Sequence, residues 1–234
     1  SAGTGLGVSV LNDDRILVTG GGWIGVDTQV KFGTPSLPNV ITWTSGTSSL
    51  PTARQFHSQS LIASNKILLT GGQTGVNPST DTTTIGTFSG SNTITFVTSD
   101  TLFFGRRTHA IETLSDGRII MTGGFSTTTN SDRISFIRII NDVLTESPLR
   151  LYHHSMETLT DNIAFVMGGF SSTSARNNTY FGFVGSNSIS WIKGTNLPFT
   201  SRYGSSTCIL QDGRVLHVGG ADSAGTLSSN TILG

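Results

Sequence analysis

The stretch Arg15-Ile-Leu-Val-Thr-Gly-Gly21 decides the fold, because closely similar heptapeptides recur four more times along the chain. In each of them a short apolar run ends in a pair of glycines. The other copies are Lys66-Ile-Leu-Leu-Thr-Gly-Gly72, Arg118-Ile-Ile-Met-Thr-Gly-Gly124, Ile163-Ala-Phe-Val-Met-Gly-Gly169 and Arg214-Val-Leu-His-Val-Gly-Gly220. Successive glycine pairs are 51, 52, 45 and 51 residues apart. This period indicates an architecture built from one repeated supersecondary unit.

Each heptapeptide is predicted to be the second strand of a β-hairpin. A polar turn precedes it, such as the Asp-Gly turn at residues 211–213, and an apolar strand candidate precedes that turn. These first strands are predicted at residues 7–11, 58–62, 110–114, 155–159 and 206–210. A third strand follows the glycines, as at 132–140 and 179–184, and a fourth follows another turn, as at 93–97 and 189–192. Four short antiparallel strands per repeat, without helical periodicity, predict the blade of an all-β propeller.

We expect a single β-propeller domain over residues 1–234, with about five four-stranded blades. The blades are assigned to residues 1–50, 51–101, 102–147, 148–198 and 199–234. Only 14 residues follow Gly220, enough for a third strand near 228–233 but not for a fourth, so the last blade is expected to be incomplete. Two alternatives stay open. Either a five-bladed ring closes with a three-stranded last blade, or the segment belongs to a longer chain with further blades or domains.

The composition argues against several classes of partner. Only 12% of the residues are charged, and 14 Lys and Arg balance 14 Asp and Glu, so there is no global attraction for nucleic acid or anionic lipid. No apolar run approaches the roughly 20 residues that span a bilayer. Cys208 is the single cysteine, and its apolar neighbours predict a buried thiol. Abundant Ser, Thr, Asn and Gly, with the sequon Asn177-Asn-Thr179, favour an extracellular or virion-surface location.

The loop before each first strand carries a family resemblance. In Arg54-Gln-Phe-His57, this loop has an Arg followed three residues later by a His. The fourth strands carry an aromatic residue, at Trp43, Phe96 and Trp191. Related loops are Arg106-Arg-Thr-His109, Arg150-Leu-Tyr-His153 and Arg202-Tyr-Gly-Ser205. With the glycine pairs, this pattern resembles the kelch repeat. The resemblance implies a propeller in which the Arg and His hydrogen-bond the glycine-rich turn of a neighbouring blade, and it leaves activity open, since such propellers include enzymes and interaction modules.

One end of the propeller is the candidate ligand-binding face, because the loops after the glycine pairs and the loops between blades emerge there. The candidate contacts on this face are Trp23, Arg54, His57, Arg106, Arg107, Tyr152, His154, Arg202 and Tyr203. The repeated Arg and His could instead hydrogen-bond a glycine-rich turn, as the kelch resemblance implies. In contrast, five residues are interpreted as independent of the repeat: Trp23, Arg106, Tyr152, His154 and Tyr203. Flat aromatic rings beside Arg donors suit a sugar or a carboxylate-bearing ligand, and they also suit a protein interface.

Enzymatic chemistry is not expected. A copper oxidase of the galactose oxidase type needs Tyr and His ligands with a nearby Cys, yet the only tyrosines are Tyr152, Tyr180 and Tyr203. The adjacent His153 and His154 are expected to diverge rather than share a metal ion. A sialidase would need acidic catalytic residues. Glu112 and Glu157 fall inside predicted first strands and would line the central channel only if their register points inward. We therefore expect no catalytic residue, metal ion or cofactor.

The leading hypothesis is a non-catalytic recognition module that binds glycans or a host or cell surface through the loop face. Its partners would be a glycan or a protein surface, without nucleic acid and without membrane insertion, and further domains or a larger assembly would fit the same role. One alternative is a protein–protein interaction scaffold of the kelch type. Another is the non-catalytic propeller domain of a larger secreted oxidase or virion protein.

Overall fold

The computed structural model describes most of the chain as short β-strands, and no helix occurs among the residues that it describes. Those residues are 4–22, 25–75, 79–102, 104–126, 133–138, 141–146, 151–160, 163–171, 173–186, 188–198 and 200–234. Within them, no helical segment is long and apolar enough to cross a membrane. The chain divides into two compact units. The first contains Ser1–Thr108 with Ser126–Thr128, and the second contains His109–Phe125 with Thr129–Gly234.

The first unit contains two antiparallel sheets, each of four strands that follow one another both in the chain and in the sheet. One sheet consists of β1 (Gly7–Val10), β2 (Ile16–Thr19), β3 (Val30–Ser36) and β4 (Val40–Ser45). The other consists of β5 (Ser58–Ala63), β6 (Lys66–Thr70), β7 (Thr82–Phe88) and β8 (Ile94–Thr101). The up-and-down order is that of propeller blades, and each heptapeptide repeat forms the second strand.

The second unit contains three more sheets of the same order. Their strands are β9 (Ala110–Thr113), β10 (Ile119–Thr122), β11 (Arg133–Arg138) and β12 (Asn141–Glu146); β13 (Ser155–Thr160), β14 (Ile163–Met167), β15 (Thr179–Val184) and β16 (Ile189–Lys193); and β17 (Ser206–Ile209), β18 (Val215–Val218) and β19 (Thr231–Leu233). The predicted all-β fold of repeated blades is confirmed. Four sheets are complete, and the last has three strands.

Each unit has its own hydrophobic core. The first core includes Leu17 on β2, Phe32 on β3 and Ile67 on β6, and all three side chains are fully buried. The second includes Ile120 on β10 and Val166 on β14. Burying one such side chain contributes about 1.5–3 kcal/mol to folding. The second strands, which contain the repeated apolar run, supply residues to both cores.

In four of the five repeats, the second glycine of the pair donates a hydrogen bond to the loop that leads to the next blade. Gly20 and Gly21 have φ angles of 59° and 81°, a backbone region that residues with a Cβ rarely adopt. The Gly21 N–H donates to the Arg54 carbonyl over 2.8 Å, and a Cβ on Gly20 would collide with that carbonyl. Both the backbone geometry and the close approach therefore require glycine here.

The side chain of Cys208 corrects a prediction, because it is exposed and not buried. On the four-residue strand β17, Ser206 and Cys208 are exposed while Thr207 and Ile209 are half-buried. Successive side chains of a strand point to opposite faces. The apolar neighbours of Cys208 therefore did not indicate on which face it lies.

Candidate functional site

The loops between blades share one conformation, and it corrects the alignment of the fourth repeat. A positive φ angle occurs at Phe56 and Thr108, the residues before His57 and His109. His153, the residue before His154, also has a positive φ angle. The Gly21 N–H donates to the Arg54 carbonyl, and the Gly124 N–H donates in the same way to the Leu151 carbonyl. Leu151 and His154 therefore occupy the Arg and His positions, so the alignment of Arg150 with His153 was wrong by one residue. Arg150 lies outside the described residues.

The Arg side chains of these loops are buried between backbone carbonyls. Arg54 is 1% exposed, and its guanidinium donates to the Gly71 carbonyl over 3.2 Å and to the Thr84 hydroxyl over 3.1 Å. Burial lowers the pKa of Arg54. Arg202, in the second unit, donates to the Gly219 carbonyl over 3.2 Å. Each of these guanidinium groups therefore binds the glycine turn of its own repeat, whereas the Arg was expected to bind the turn of a neighbouring blade.

Arg106 is equally buried, and the Gly72 N–H donates to its carbonyl over 2.8 Å. It occupies the same loop position as Arg54. The interpretation of Arg106 as independent of the repeat was therefore wrong. Its buried guanidinium leaves no flat, exposed surface on which a ligand can stack.

The two histidines predicted as ligand contacts are also buried. His57 Nε2 lies 2.8 Å from the Thr19 hydroxyl, and His154 Nε2 lies 2.8 Å from the Thr122 hydroxyl. Burial, with a smaller effect of the Arg54 charge, lowers the pKa of His57 to about 3. Burial, with a smaller effect of His153, lowers the pKa of His154 to about 4. Both rings are neutral at pH 7, and His154 is a repeat position and not an independent one.

The remaining predicted contacts are accessible or lie outside the described residues. Tyr152, Tyr203 and Arg107 are half-buried. Trp23 lies outside the described residues. Among the described residues, Tyr152 and Tyr203 are therefore the accessible predicted contacts of the second unit, and Arg107 is the accessible predicted contact of the first.

Five rings of the second unit form a contiguous group, which we call the aromatic cluster. Its members are Phe125, Tyr152, His153, Phe170 and Tyr203. The Tyr152 ring centroid lies 5.4 Å from Phe170 and 5.7 Å from Phe125, and Tyr203 meets Phe170 edge-on at 5.1 Å. All five residues are half-buried. Such tilted and T-shaped pairs are the favoured arrangements of aromatic rings.

Backbone hydrogen bonds hold the aromatic cluster in place. Tyr152 and Phe170 exchange N–H···O bonds of 3.1 and 2.8 Å, and Tyr203 exchanges two bonds of 2.9 Å with Ala221. The Gly204 N–H donates to the His153 carbonyl over 2.8 Å. The rings therefore project from loops that are tied to the ends of strands. A surface that needs little ordering loses less free energy when it binds a ligand.

The hydroxyl groups give the aromatic cluster a polar component. Partial burial, together with the neighbouring Tyr203, raises the pKa of Tyr152. Its phenol therefore stays protonated at neutral pH, as a donor and acceptor. Arg176 is exposed in the loop after Phe170, and its Nε donates to the Ser171 hydroxyl over 3.0 Å. The cluster thus combines apolar ring faces with hydroxyl groups and a nearby cation.

The first unit carries polar side chains at the equivalent loop positions. Gln55 and Gln73 exchange backbone hydrogen bonds of 3.0 and 2.7 Å, as Tyr152 and Phe170 do. Arg107 donates to the Gln73 side-chain oxygen over 2.8 Å. The repeat therefore sets the backbone, and the side chains differ: amides and a guanidinium in one unit, rings in the other.

Two glutamates of the second unit lie on first strands and not on the loops of the aromatic cluster. Glu112 on β9 pairs with Ile120, and Glu157 on β13 pairs with Phe165, so both occupy the same register position in neighbouring first strands. Burial and the charge of Glu157 raise the pKa of Glu112 to about 8, and burial raises that of Glu157 to about 7. No group of three or more His, Cys, Asp or Glu that would hold a metal ion occurs among the described residues.

The adjacent histidines point to different surroundings, as expected. The His153 ring contacts Tyr152 and Tyr203 at centroid distances of 5.5 and 5.9 Å, whereas the His154 ring is bonded to Thr122. Three members of the aromatic cluster, Phe125, His153 and Phe170, were not among the candidate contacts predicted from the sequence. Correct alignment of His154 with His57 would have identified His153 as the residue before the repeat histidine.

No family model matches the chain, and no curated protein matches its sequence.

Proposed function

We propose that this chain is a non-catalytic recognition module that binds a glycan through the aromatic cluster. The observation that carries the proposal is the contact of Tyr152 and Tyr203 with Phe170 and His153, on loops held by backbone hydrogen bonds. A blade fold suits a binding role in general, since its loops present side chains from a rigid support.

The chemistry of the aromatic cluster favours a sugar over a smaller polar ligand. A pyranose presents one face of C–H groups, which packs on an aromatic ring, and a rim of hydroxyl groups. The phenols of Tyr152 and Tyr203 each supply a donor and an acceptor for that rim. Binding of this kind requires no metal ion and no ionised catalytic group.

A glycan panel tests the proposal directly. Purified protein is screened on the panel, and hits are confirmed by saturation-transfer NMR. We expect selective binding that Tyr203→Ala and Tyr152→Ala reduce by about tenfold or more, as a loss of roughly 1.4 kcal/mol produces. Gln55→Ala is the matched control, because Gln55 occupies the position of Tyr152 in the first unit. A folded protein that binds no glycan, or variants that bind as well as wild type, would contradict the proposal.

A kelch-type protein-interaction scaffold is the second candidate. Tyrosines and apolar rings that are partly exposed are also the residues that anchor protein interfaces. The same variants separate the two functions, because a protein partner captured by wild type and lost by Tyr203→Ala, without glycan binding, would assign the aromatic cluster to an interface.

A further inference from the structure

Arg176 is held between the residues that precede two rings of the aromatic cluster. Its N–H donates to the carbonyl of Gly169, the residue before Phe170, over 2.8 Å. Its carbonyl accepts the N–H of Arg202, the residue before Tyr203, over 2.9 Å. The backbone of Arg176 is therefore fixed between the two loops that carry Phe170 and Tyr203.

A hydrogen bond also orients the side chain of Arg176. Its Nε donates to the hydroxyl oxygen of Ser171 over 3.0 Å, and the Ser171 hydroxyl donates in turn to the Ser174 carbonyl over 3.3 Å. Ser171 directly follows Phe170, so this bond holds the guanidinium at the residue next to a ring of the cluster. The bond uses one of the five N–H donors of a guanidinium and leaves the four on the two Nη atoms.

The charge of Arg176 is not neutralised by a neighbouring carboxylate. Arg176 is exposed, and it makes no ion pair within the described part of the chain. Arg15, Arg118 and Arg214 differ from it, because each is bound to the Asp two positions before it. Arg176 therefore presents a charged fork to the solvent beside the aromatic cluster.

The loops that carry the aromatic cluster are cationic, although the 14 Lys and Arg of the whole chain balance its 14 Asp and Glu. Residues 151–154, 169–178 and 202–205 contain Arg176 and Arg202 but no Asp or Glu. An anionic group brought to this surface therefore meets positive charge, and none of these three loops opposes it with a negative charge.

The glycine pair of the fifth repeat leads into a loop with one acidic residue, Asp222. Its Oδ1 atom accepts the N–H groups of Ala224 and Thr226, both over 2.9 Å. These bonds hold the carboxylate to the backbone of its own loop. The two Nη atoms of Arg176 are left for an anion supplied by a ligand.

We propose that the ligand of the aromatic cluster is an acidic glycan, whose carboxylate binds the two Nη atoms of Arg176. One sugar packs on the rings. The carboxylate belongs to that sugar or to the next one in the oligosaccharide, and it accepts the two parallel N–H bonds that a guanidinium offers. This inference rests on the proposed glycan binding and adds the charge of the ligand.

The probes are hexuronate and sialate oligosaccharides, each paired with its own methyl ester. Esterification removes the negative charge and keeps the sugar ring. Neutral and sulfated oligosaccharides complete the set, and binding to wild type and to Tyr203→Ala is measured. We expect the oligosaccharides whose binding Tyr203→Ala weakens to carry a carboxylate, and we expect esterification to weaken their binding about fivefold to tenfold.

Arg176→Gln tests the residue itself, because it removes the charge and keeps an N–H donor. We expect it to weaken binding of the acid about fivefold to tenfold and to change binding of the ester by less than about twofold. A structural effect alone would weaken both alike. Arg214→Gln is the matched control, since Arg214 is also an exposed arginine of the second unit, in the turn before β18. It removes the same charge and should leave both affinities unchanged.

The results separate the charge of the ligand from glycan binding itself. The acidic assignment is overturned, and glycan binding stands, if Tyr203-dependent binding is confined to neutral or sulfated oligosaccharides. The same holds if acid and ester bind equally, or if Arg176→Gln prefers the acid as strongly as wild type does. If no oligosaccharide binds in a Tyr203-dependent way, the proposed function fails and this assignment fails with it.

Discussion

The Nε2 atom of His154 lies 2.8 Å from the hydroxyl oxygen of Thr122, the last residue of β10. This contact joins the loop between two blades to the strand end that carries a glycine pair. His57 and Thr19 repeat it in the first unit. Since burial lowers the pKa of both histidines, the hydrogen bond is made by a neutral ring and belongs to the framework of the blades.

Replacement of Thr122 by valine tests this role. We expect Thr122→Val to lower the free energy of unfolding by about 1–3 kcal/mol, because it leaves a buried imidazole nitrogen without its partner. Urea titration at pH 7, followed by tryptophan fluorescence, measures the loss. Thr42→Val is the control, since Thr42 is exposed on β4 and should change stability by less than about 0.5 kcal/mol. Equal effects of the two substitutions would contradict the assignment.

The buried Arg54 leads to a second prediction. Arg54→Lys keeps the positive charge but cannot reach both the Gly71 carbonyl and the Thr84 hydroxyl with a planar fork. We expect a loss of about 2–3 kcal/mol in urea titration, the usual size for hydrogen bonds to a charged group.

Arg214→Lys is the matched control for Arg54→Lys, because Arg214 makes an exposed ion pair with Asp212 at 2.6 Å. Exposed pairs contribute about 0–1 kcal/mol. A ligand-binding role without a structural one would predict the opposite result, with Arg54→Lys as stable as Arg214→Lys.

The second strands and their order were readable from sequence, whereas the faces of several side chains were not. The glycine pairs and preceding turns predicted every first and second strand to within one or two residues at each end, as at Ser58–Ala63 and Ile119–Thr122. In contrast, a strand of four residues such as β17 gives too short an alternation to show that Cys208 is exposed. A shift of one residue exchanges the two faces of a strand.

Only part of the candidate site could be predicted from the sequence, because the alignment of the loops between blades was not evident. Tyr152 and Tyr203 were identified as accessible, but His154 was not recognised as a repeat histidine. The alignment of these loops depends on a positive φ angle at Phe56, Thr108 and His153. None of these three residues is a glycine or an asparagine, the residue types that would indicate a positive φ angle in a sequence. The buried guanidinium of Arg54 bonds the backbone carbonyls of Gly71 and Thr82, and a sequence pattern does not show that these groups come close to it.

The contact between Gly182 and Trp191 gives a third prediction. A methyl group on Gly182 would lie 2.7 Å from the Trp191 ring, so Gly182→Ala should lower stability by about 1–3 kcal/mol through overpacking. Gly90→Ala, at an open turn, is the control and should cost little. Combining Gly182→Ala with Trp191→Leu removes the clash, so the double variant should lose less than the sum of the two single losses. Additive losses would contradict a direct contact.

Glu112 on β9 and Glu157 on β13 make the free energy of unfolding depend on pH. Glu112 and Glu157 have folded pKa values of about 8 and 7, above the ordinary value of 4.5. The folded protein therefore holds protons that the unfolded chain releases above pH 4.5. The stability contributed by this pair is complete below that pH and is lost as the pH rises through 7 to 8.

Glu112→Gln should remove most of this loss, because a neutral amide replaces the carboxyl group. We expect the variant to match wild type near pH 4.5 and to exceed its free energy of unfolding by about 1 kcal/mol or more at pH 8. The buried histidines contribute in the opposite sense at lower pH, and comparing variant with wild type at each pH cancels their effect. Cys208→Ser, at the same register position on β17, removes no carboxylate and serves as the control. A difference between Glu112→Gln and wild type that stays constant from pH 4.5 to 8 would show that Glu112 titrates alike in the folded and unfolded chain.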